Sequence, residues 1–539
     1  MSIKNNLNIF YFLFFYIKKI KKIFLKSTQD PIKNHQIYKE LKKLKIIKIK
    51  KSKKKIILLI CLDNIETYFL FIWIIVCSSL FNKNYTYKIL TVKKNIFLNK
   101  IITHLKLDFI IFENIFVKKY QLNINLIKKI NSLKSFDQFS KFTYDGFDLG
   151  LMIISNFCRI HRVAVVNFDS LIQRKIINAT LKDFIIKYEI IKKSNTFLGV
   201  KKVFLFEKNL IPHLYFFLTS IKKKIELIHW SGSNLDEKKF ILRKYNKKNI
   251  YLHHSTLSEL VWKNVKNIKN RNLILRNKKI FRNRFSGKYK PFSINLIESG
   301  NKFDYKLKKI NKKLNCIIFS HILHDTLYFF GKEYYASYAH WLLRTVEIAC
   351  KNDKVNWFIK FHPSNIYRGE FKEGRSIEED VIRKQIHEIP PHVKFIYPNT
   401  KINPLVWMKF ADVGITIRGT AGLEMAVLNK PVITCGKNRY NNKGFTIDPK
   451  NSVEYEKLLI NLPKIKKLDK TSKLKANIFY NYVFEKKTFN CDFLKTKIKS
   501  KRFNWNNIHF ELKKNFLNNK NLIKIKKFLL SNKISEYIN

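Results

Sequence analysis

The residues of this chain best suited to chemistry fall into short stretches of its second half. The densest is Asp412-Val-Gly-Ile-Thr-Ile-Arg418-Gly419-Thr420-Ala-Gly422-Leu-Glu424-Met-Ala, followed by Asn429-Lys-Pro-Val-Ile. Five of the 14 glycines (414, 419, 422, 436 and 444) lie within 31 residues here. In so glycine-poor a chain, that clustering implies backbone geometry closed to other residues, or close approach by a ligand. A strand ending at Ile417, a Gly/Thr turn carrying Arg418, and a helix opening near Ala421 would offer unpaired amides and the Thr420 hydroxyl to a phosphate. Glu424, one turn in, is placed to accept two hydrogen bonds from a ribose diol. The plainer reading of the same residues is a tight turn with a capping Thr and a solvated Glu.

A second stretch is Lys360-Phe-His362-Pro363, closing the apolar run WFIKF. Proline holds the preceding residue extended, so the imidazole is rigidly aimed and can donate to a phosphate oxygen, with Lys360 nearby. A third is Ser320-His321-Ile-Leu-His324-Asp325, also directly after an apolar run. His321, His324 and Asp325 could supply an acid/base or a phosphate contact. A metal site would need a third or fourth ligand, and none stands at suitable spacing, so no metal is expected. In the first half, Asp145 and Asp148 lie in the Gly-flanked stretch Tyr144–Gly150 and are the acid/base candidates there.

The elements that must position these residues are legible as alternating apolar runs and helix-length segments. Ile56–Leu62 reads as a buried strand, Asp63 and Glu66 as a helix cap and its partner three residues on, and Lys88–Val92 as the next strand. The charged pair also argues against a membrane span over this apolar region. Further strands are expected at Val163–Phe168, Lys202–Phe206 and Glu226–His229. In the second half, strands are expected at 314–320, 355–361, 393–397, 412–417 and 431–435. Helices are expected between them at 332–351, 377–387, 404–410 and 421–428. Such alternation demands parallel sheets covered on both faces, with ligands beyond the carboxyl ends of the strands. The resulting division is a basic leader (1–50), a first domain (51–262), a connection with little periodicity (263–313), a second domain (314–469) and a basic helical tail (470–539).

Length and composition agree with two packed domains: 539 residues exceed what one core supports, and 46% are hydrophobic. The net charge of +67 would ordinarily suggest nucleic acid or an anionic membrane. The excess is mostly Lys, accompanied by heavy use of Ile, Asn and Phe, and no Arg precedes Arg159. That reads as drift toward A/T-rich codons, and no specific nucleic-acid partner is expected. The seven scattered Cys, without a CxxC, exclude a zinc ribbon or disulfide framework and suit a cytoplasmic protein. Leu7–Ile17 is too short to span a bilayer and reads as a peripheral membrane foot or a disordered leader.

The motif order FSHILHDTLYF, YAHWLLRT, VNWFIKFHPSN and ADVGITIRGTAGLEMAVLNKPVITCGKNRYNNKGFT resembles the capsule polysaccharide biosynthesis family, bacterial surface-carbohydrate glycosyltransferases related to β-Kdo transferases. Residues 314–447 carry the likeness, with fainter echoes in YDGFDLG and HWSGSNLDEKKFILRKY. The resemblance implies a GT-B architecture, two Rossmann-like doubly wound domains facing across a cleft, with donor in the second and acceptor in the first. It assigns His362 and Pro363 to the donor phosphate, and Gly419, Thr420, Gly422 and Glu424 to phosphate and ribose. It further implies a nucleotide-sugar donor, CMP-Kdo foremost, a lipid-linked or polymeric glycan acceptor and no cofactor; the basic surface would suit peripheral attachment to the anionic inner face of the cytoplasmic membrane. Two other functions fit the same residues: a nucleotide-sugar 2-epimerase or polyol-phosphate transferase, and, in another class, a basic polyanion or membrane-surface binder.

Overall fold

The computed structural model describes Glu40 and residues 55–538, apart from 81–84, 233–238, 269–270, 287–306, 308–310, 329 and 499–507. The leader, including Leu7–Ile17, and most of the 287–313 stretch therefore lie outside the described residues.

The first half builds β1 (Lys55–Ile60), α1 (Asn64–Ser78), β2 (Tyr85–Thr91), α2 (Ile96–His104) and β3 (Phe109–Ile111). It continues with α3 (Leu149–His161), α4 (Leu171–Lys193), β4 (Val200–Leu205), α5 (His213–Lys222), β5 (Glu226–Gly232), β6 (Lys239–Tyr245) and α6 (Arg271–Phe285). The second half contributes β7 (Leu314–Phe319), α7 (Tyr338–Lys351), β8 (Val355–Lys360), α8 (Ile377–Arg383), β9 (Val393–Ile396), α9 (Pro404–Phe410), β10 (Val413–Thr416), α10 (Thr420–Val427) and β11 (Val432–Thr434). The chain then runs through α11 (Lys470–Asn481), β12 (Thr488–Asn490) and α12 (Lys520–Leu530).

Two sheets result. The first has the order β12-β6-β5-β4-β1-β2-β3, and the second β9-β8-β7-β10-β11. The second is parallel throughout; the first is parallel from β3 to β5, with β6 antiparallel beside it. Counting parallel strands in chain order, both sheets read 3-2-1-4-5, the doubly wound Rossmann arrangement. Each has one switch point, between its first and fourth strands: β1/β4 in one domain and β7/β10 in the other. The fold is therefore two Rossmann-like domains.

Burial explains why these segments are strands. All six residues of β8 are buried, as suits a parallel sheet covered on both faces. Its alternation sends Trp357 and Ile359 to one core and Phe358 to another. The apolar run after Lys55 divides into β1 and α1, whose buried Trp73 packs against Phe204 and Trp230. Among the described residues, no helix is long and apolar enough to cross a membrane.

Three segments before the tail differ from the sequence reading. Val163–Phe168 forms no strand: Arg162 closes α3 in the left-handed region, and Val166 and Phe168 bury individually in the core. The 263–313 connection holds α6, whose Leu273, Asn277, Ile280 and Phe281 are buried; Phe281 and Asn277 meet Tyr480 and Asn477 of α11. Its helical period is hidden by the Lys, Arg and Asn between those positions. The helix expected from Lys332 starts at Tyr338, where the Ser337 side chain accepts from the His340 amide.

The tail, expected to be helical, first lays α11 against α10 and α6 and from β12 onward returns to the first domain, partly as strands. β12 pairs antiparallel with β6, α12 packs on the α1 face, and Glu536 reaches Arg243 at 2.9 Å.

Candidate functional site

The contacts between the two domains gather on the loops at the carboxyl edge of the second sheet. Phe136 meets Tyr328, and His253 stacks on Phe330 at 6.0 Å. Arg159 of α3 pairs with Asp325, and Arg162 donates to the Arg368 carbonyl. The edge where a doubly wound sheet binds its ligand therefore faces the other domain.

At the β7/β10 switch point, α10 opens without a side-chain cap. Its N-cap is Gly419, in extended geometry. The Gly419 amide donates to Thr416 Oγ1 at 3.1 Å, while the Tyr440 hydroxyl donates to the Gly419 carbonyl at 2.7 Å. Gly419, Thr420 and Ala421 are half-buried, so the helix mouth is open. Gly422 has a different reason to be glycine: a Cβ there would overlap the Tyr440 hydroxyl. Its smallness serves packing, not ligand approach.

Arg439 completes this mouth. Its Nη2 donates to Thr420 Oγ1 at 3.1 Å and its Nη1 lies 3.5 Å from Ser255 Oγ of the other domain. Among the described residues, no carboxylate stands at ion-pair distance from it. Burial lowers its pKa from the ordinary guanidinium value. A helix N-terminus with a guanidinium that lacks an acid partner is an anion seat.

Two imidazoles stand on the neighbouring strands, His321 after β7 and His362 after β8, with ring centroids 6.4 Å apart. His362 Nδ1 accepts the Ser364 amide at 3.2 Å, which places its proton on Nε2 as a donor. His321 Nδ1 lies 3.1 Å from the Ile322 carbonyl, which places the proton on Nδ1 and leaves Nε2 an acceptor. Burial holds both rings neutral, with His321 pushed down to about 4 and His362 to about 3. Behind them the buried Glu378 accepts from the Ser320 hydroxyl, the His362 amide and the Asn365 side chain. It fixes the directions of both strand exits. Pro363 starts the short helix Ser364–Arg368. Lys360 is 4% exposed and its Nζ has no hydrogen-bond partner; burial pushes it down to about 8.

Other expected site residues are engaged elsewhere. Arg418 is buried, donating to the Thr326 carbonyl at 3.0 Å and to Glu333 at 2.6 Å, between Phe330 and Tyr338. Instead of reaching a phosphate, it ties the Thr326 backbone and the Glu333 side chain to the sheet. Glu424 is 3% exposed and takes Arg284 of α6 at 2.6 Å, so its carboxylate is held by the protein and not offered to a diol. Asp325 pairs with Arg159 and lies 3.9 Å from Arg368. Burial works against its charge, but the two guanidinium groups outweigh it and hold it below the usual range. That suits a link between domains better than acid–base duty. His324 is buried against Glu370 at 3.3 Å, and burial pushes it to about 4.

The two acids of the first domain separate cleanly. Asp145 is bound by Tyr188, Lys192 and Lys222, a structural role. Asp148, half-buried at the start of α3, accepts from the Tyr251 hydroxyl at 2.5 Å, and among the described residues no cation pairs with it. Tyr251 in turn lies against Gly331 of the second domain.

Sequence reasoning missed Arg439, Glu378 and Ser255. Gly436 and Gly444, counted in the glycine cluster, flank Arg439 and were the available signal for it. Nothing local marks Glu378 or Ser255, which join the site only through the tertiary fold. Among the described residues, no group of His, Cys, Asp and Glu is arranged to hold a metal. A cavity of about 230 Å³ lined by Lys313, Asn356 and His392 lies at the amino ends of β7 and β8, away from this edge.

No family model and no curated protein matches the chain. Among solved structures, it is similar to the β-Kdo 2,4-transferase KpsC of Thermosulfurimonas dismutans, at 12% identity over 55% of this chain and 82% of that one, with a TM-score of 0.34. It is also similar to a UDP-GlcNAc 2-epimerase from Neisseria meningitidis bound to UDP-GlcNAc (13% identity, 79% and 95% covered, TM-score 0.23). A third likeness is the glycosyltransferase VinC in complex with dTDP (8%, 80% and 97%, TM-score 0.25). Scores of 0.34 and below carry no weight for the chemistry of this chain; its own strand orders establish the fold.

Proposed function

We propose that the protein is a glycosyltransferase that takes a nucleotide-activated sugar at the β7/β10 switch point. The observation that carries this reading is the open mouth of α10, where unpaired amides, the Thr420 hydroxyl and Arg439 converge without an acid to neutralise them. A phosphate of the donor sits there. As the glycosidic bond breaks, negative charge grows on the departing nucleotide phosphate. Preorganised donors in a site walled from water stabilise such charge best. Neutral His362 adds its Nε2–H to that set, and the buried Lys360 adds positive potential to the same sheet edge.

Asp148 is the acceptor-side base in this reading, because its carboxylate is half-buried beside Tyr251, which reaches Gly331 of the second domain, and among the described residues no cation pairs with it. A monophosphate leaving group, as in CMP-Kdo, fits a seat with one guanidinium; the His-Pro pair adds to that preference. The acceptor is a lipid-linked or polymeric surface glycan.

A nucleotide melting panel tests the donor assignment, since only a molecule that binds the native state raises its melting temperature. CMP or UDP should raise it in the parent and not in Arg439→Ala. Turnover of CMP-Kdo that requires an added glycan distinguishes transfer from epimerisation, which needs no acceptor. Asp148→Asn should abolish transfer while leaving nucleotide binding intact. Nucleotide binding unchanged in Arg439→Ala would remove the donor seat from α10.

A further inference from the structure

A second concentration of positive charge lies on the opposite wall of the cleft, beneath the loop from Ile250 to Ser258. Lys208 Nζ donates to the Ile250 carbonyl at 2.5 Å. Arg243 donates to the carbonyls of His254 and Thr256, and Lys487 to that of Thr256 at 2.6 Å. These cations are 1%, 1% and 0% exposed. Among the described residues one buried carboxylate answers them: Glu536 accepts from Arg243, Lys487 and the Ser258 amide. Half-buried Glu207 stands beside Lys208, its carboxylate turned to the backbone amides of Lys208 and Asn209.

This arrangement has two consequences for the cleft surface. The carbonyl oxygens of Ile250, His254 and Thr256 are drawn inward, so the loop presents side chains instead of lone pairs. Those side chains are donors. His253 Nδ1 accepts the Ser255 amide at 3.1 Å, which puts its proton on Nε2. His254 stacks on His229 at 5.2 Å, and His229, 3% exposed, has no partner for Nδ1. Burial first, and the surrounding cations second, hold His253 and His254 well below the ordinary histidine value and bring Lys208 to about 7. Directly opposite, Arg439 Nη1 lies 3.5 Å from Ser255 Oγ. Burial likewise brings Lys487 to about 7, so Lys208 and Lys487 carry their full charge only when an anion joins them.

We propose that His253, His254 and Ser255, with Arg439 opposite, form an anion subsite that receives a carboxylate or phosphate carried by the acceptor saccharide. This rests on the transferase reading above and names the acceptor's chemical class: an acidic or phosphorylated sugar, not a neutral one. The Nε2–H of His253 and the Arg439 guanidinium supply fixed donors, and the buried cations supply the field that selects charge.

The test is calorimetric titration of the full-length protein with glucuronate, glucose 6-phosphate and glucose, with the α10 seat first saturated by CMP or UDP. A charged sugar should bind about tenfold or more tighter than glucose, a difference of roughly 1.4 kcal/mol, and weaken as salt rises. Glucuronate binding alone assigns a carboxylate, and glucose 6-phosphate alone a phosphate. His254→Gln should remove the preference for charge without changing nucleotide affinity; Ser255→Ala reads the same loop should the first variant not fold. Charged sugars that bind no tighter than glucose, or that displace the nucleotide, would overturn the subsite. If neither nucleotide binds, the transferase reading fails separately, and titrating the unliganded protein still decides whether this wall selects anions.

Discussion

The two domains share one strand order, yet their switch points are finished in opposite ways. In the first domain Glu66 fills the edge after β1. Its Oε2 accepts the Leu62 amide at 2.9 Å and its Oε1 meets His213 Nε2 at 2.6 Å, all of it buried. The protein supplies its own anion there. In the second domain the buried Glu378 plays that part behind the exits of β7 and β8, but among the described residues no carboxylate stands at ion-pair distance from Arg439, which lies beside Thr420 at the mouth of α10. Identical topology therefore specifies where a ligand can bind, while one acidic side chain decides whether that place is occupied from within.

Removing the internal anion should have the largest effect. Glu66→Ala leaves the Leu62 amide and His213 buried and unpaired, a change that typically costs about 3–5 kcal/mol, read as a loss in denaturant unfolding. Next is the packing that shapes the open mouth. Gly422→Ala should destabilise by roughly 1–3 kcal/mol through overpacking, and the cost should shrink in a Tyr440→Phe background, where the clashing hydroxyl is absent. Arg439→Ala should weaken nucleotide binding by about 1–3 kcal/mol, the range for hydrogen bonds to charged groups, with little change in stability.

The pH dependence sharpens the contrast. His229, His321, His324 and His362 all have native pKa values pushed down by burial, to about 3, 4, 4 and 3. A group that binds its proton more readily unfolded than folded lowers stability as pH falls below the unfolded value, about 6.5 for histidine. Melting temperature should therefore fall from pH 7 toward pH 4. His213 runs the other way: burial opposes its charge, but Glu66 outweighs burial and raises it. Its contribution is full below pH 6.5 and lost as pH rises through its native value, so Glu66→Gln should steepen the acid loss. The smallest effect is expected from Arg159→Ala, which loosens the link to Asp325; both partners are partly exposed, and such pairs contribute about 1 kcal/mol or less.

Much of this architecture was legible in the chain. Buried parallel strands announce themselves as unbroken apolar runs such as IILLI and WFIK, and the Asp63/Glu66 pair marked the start of α1. The glycine cluster located the helix mouth. What could not be read is which polar groups the tertiary fold would use up. Arg418, Glu424 and Asp325 have the residue types and spacing of ligands, but their partners Glu333, Arg284 and Arg159 lie 85, 140 and 166 residues away. Arg439 became visible by the same subtraction, as the guanidinium left over. Helix α6 was hidden because its buried face among the described residues is only Leu273, Asn277, Ile280 and Phe281, set among Lys, Arg and Asn.

The most direct measurement is the melting temperature of the parent and of Arg439→Ala with saturating CMP and with UDP. At least one nucleotide should stabilise the parent, and the substitution should abolish most of that gain without lowering the unliganded melting temperature. Equal stabilisation of both proteins, or none of the parent, would contradict the donor seat at α10.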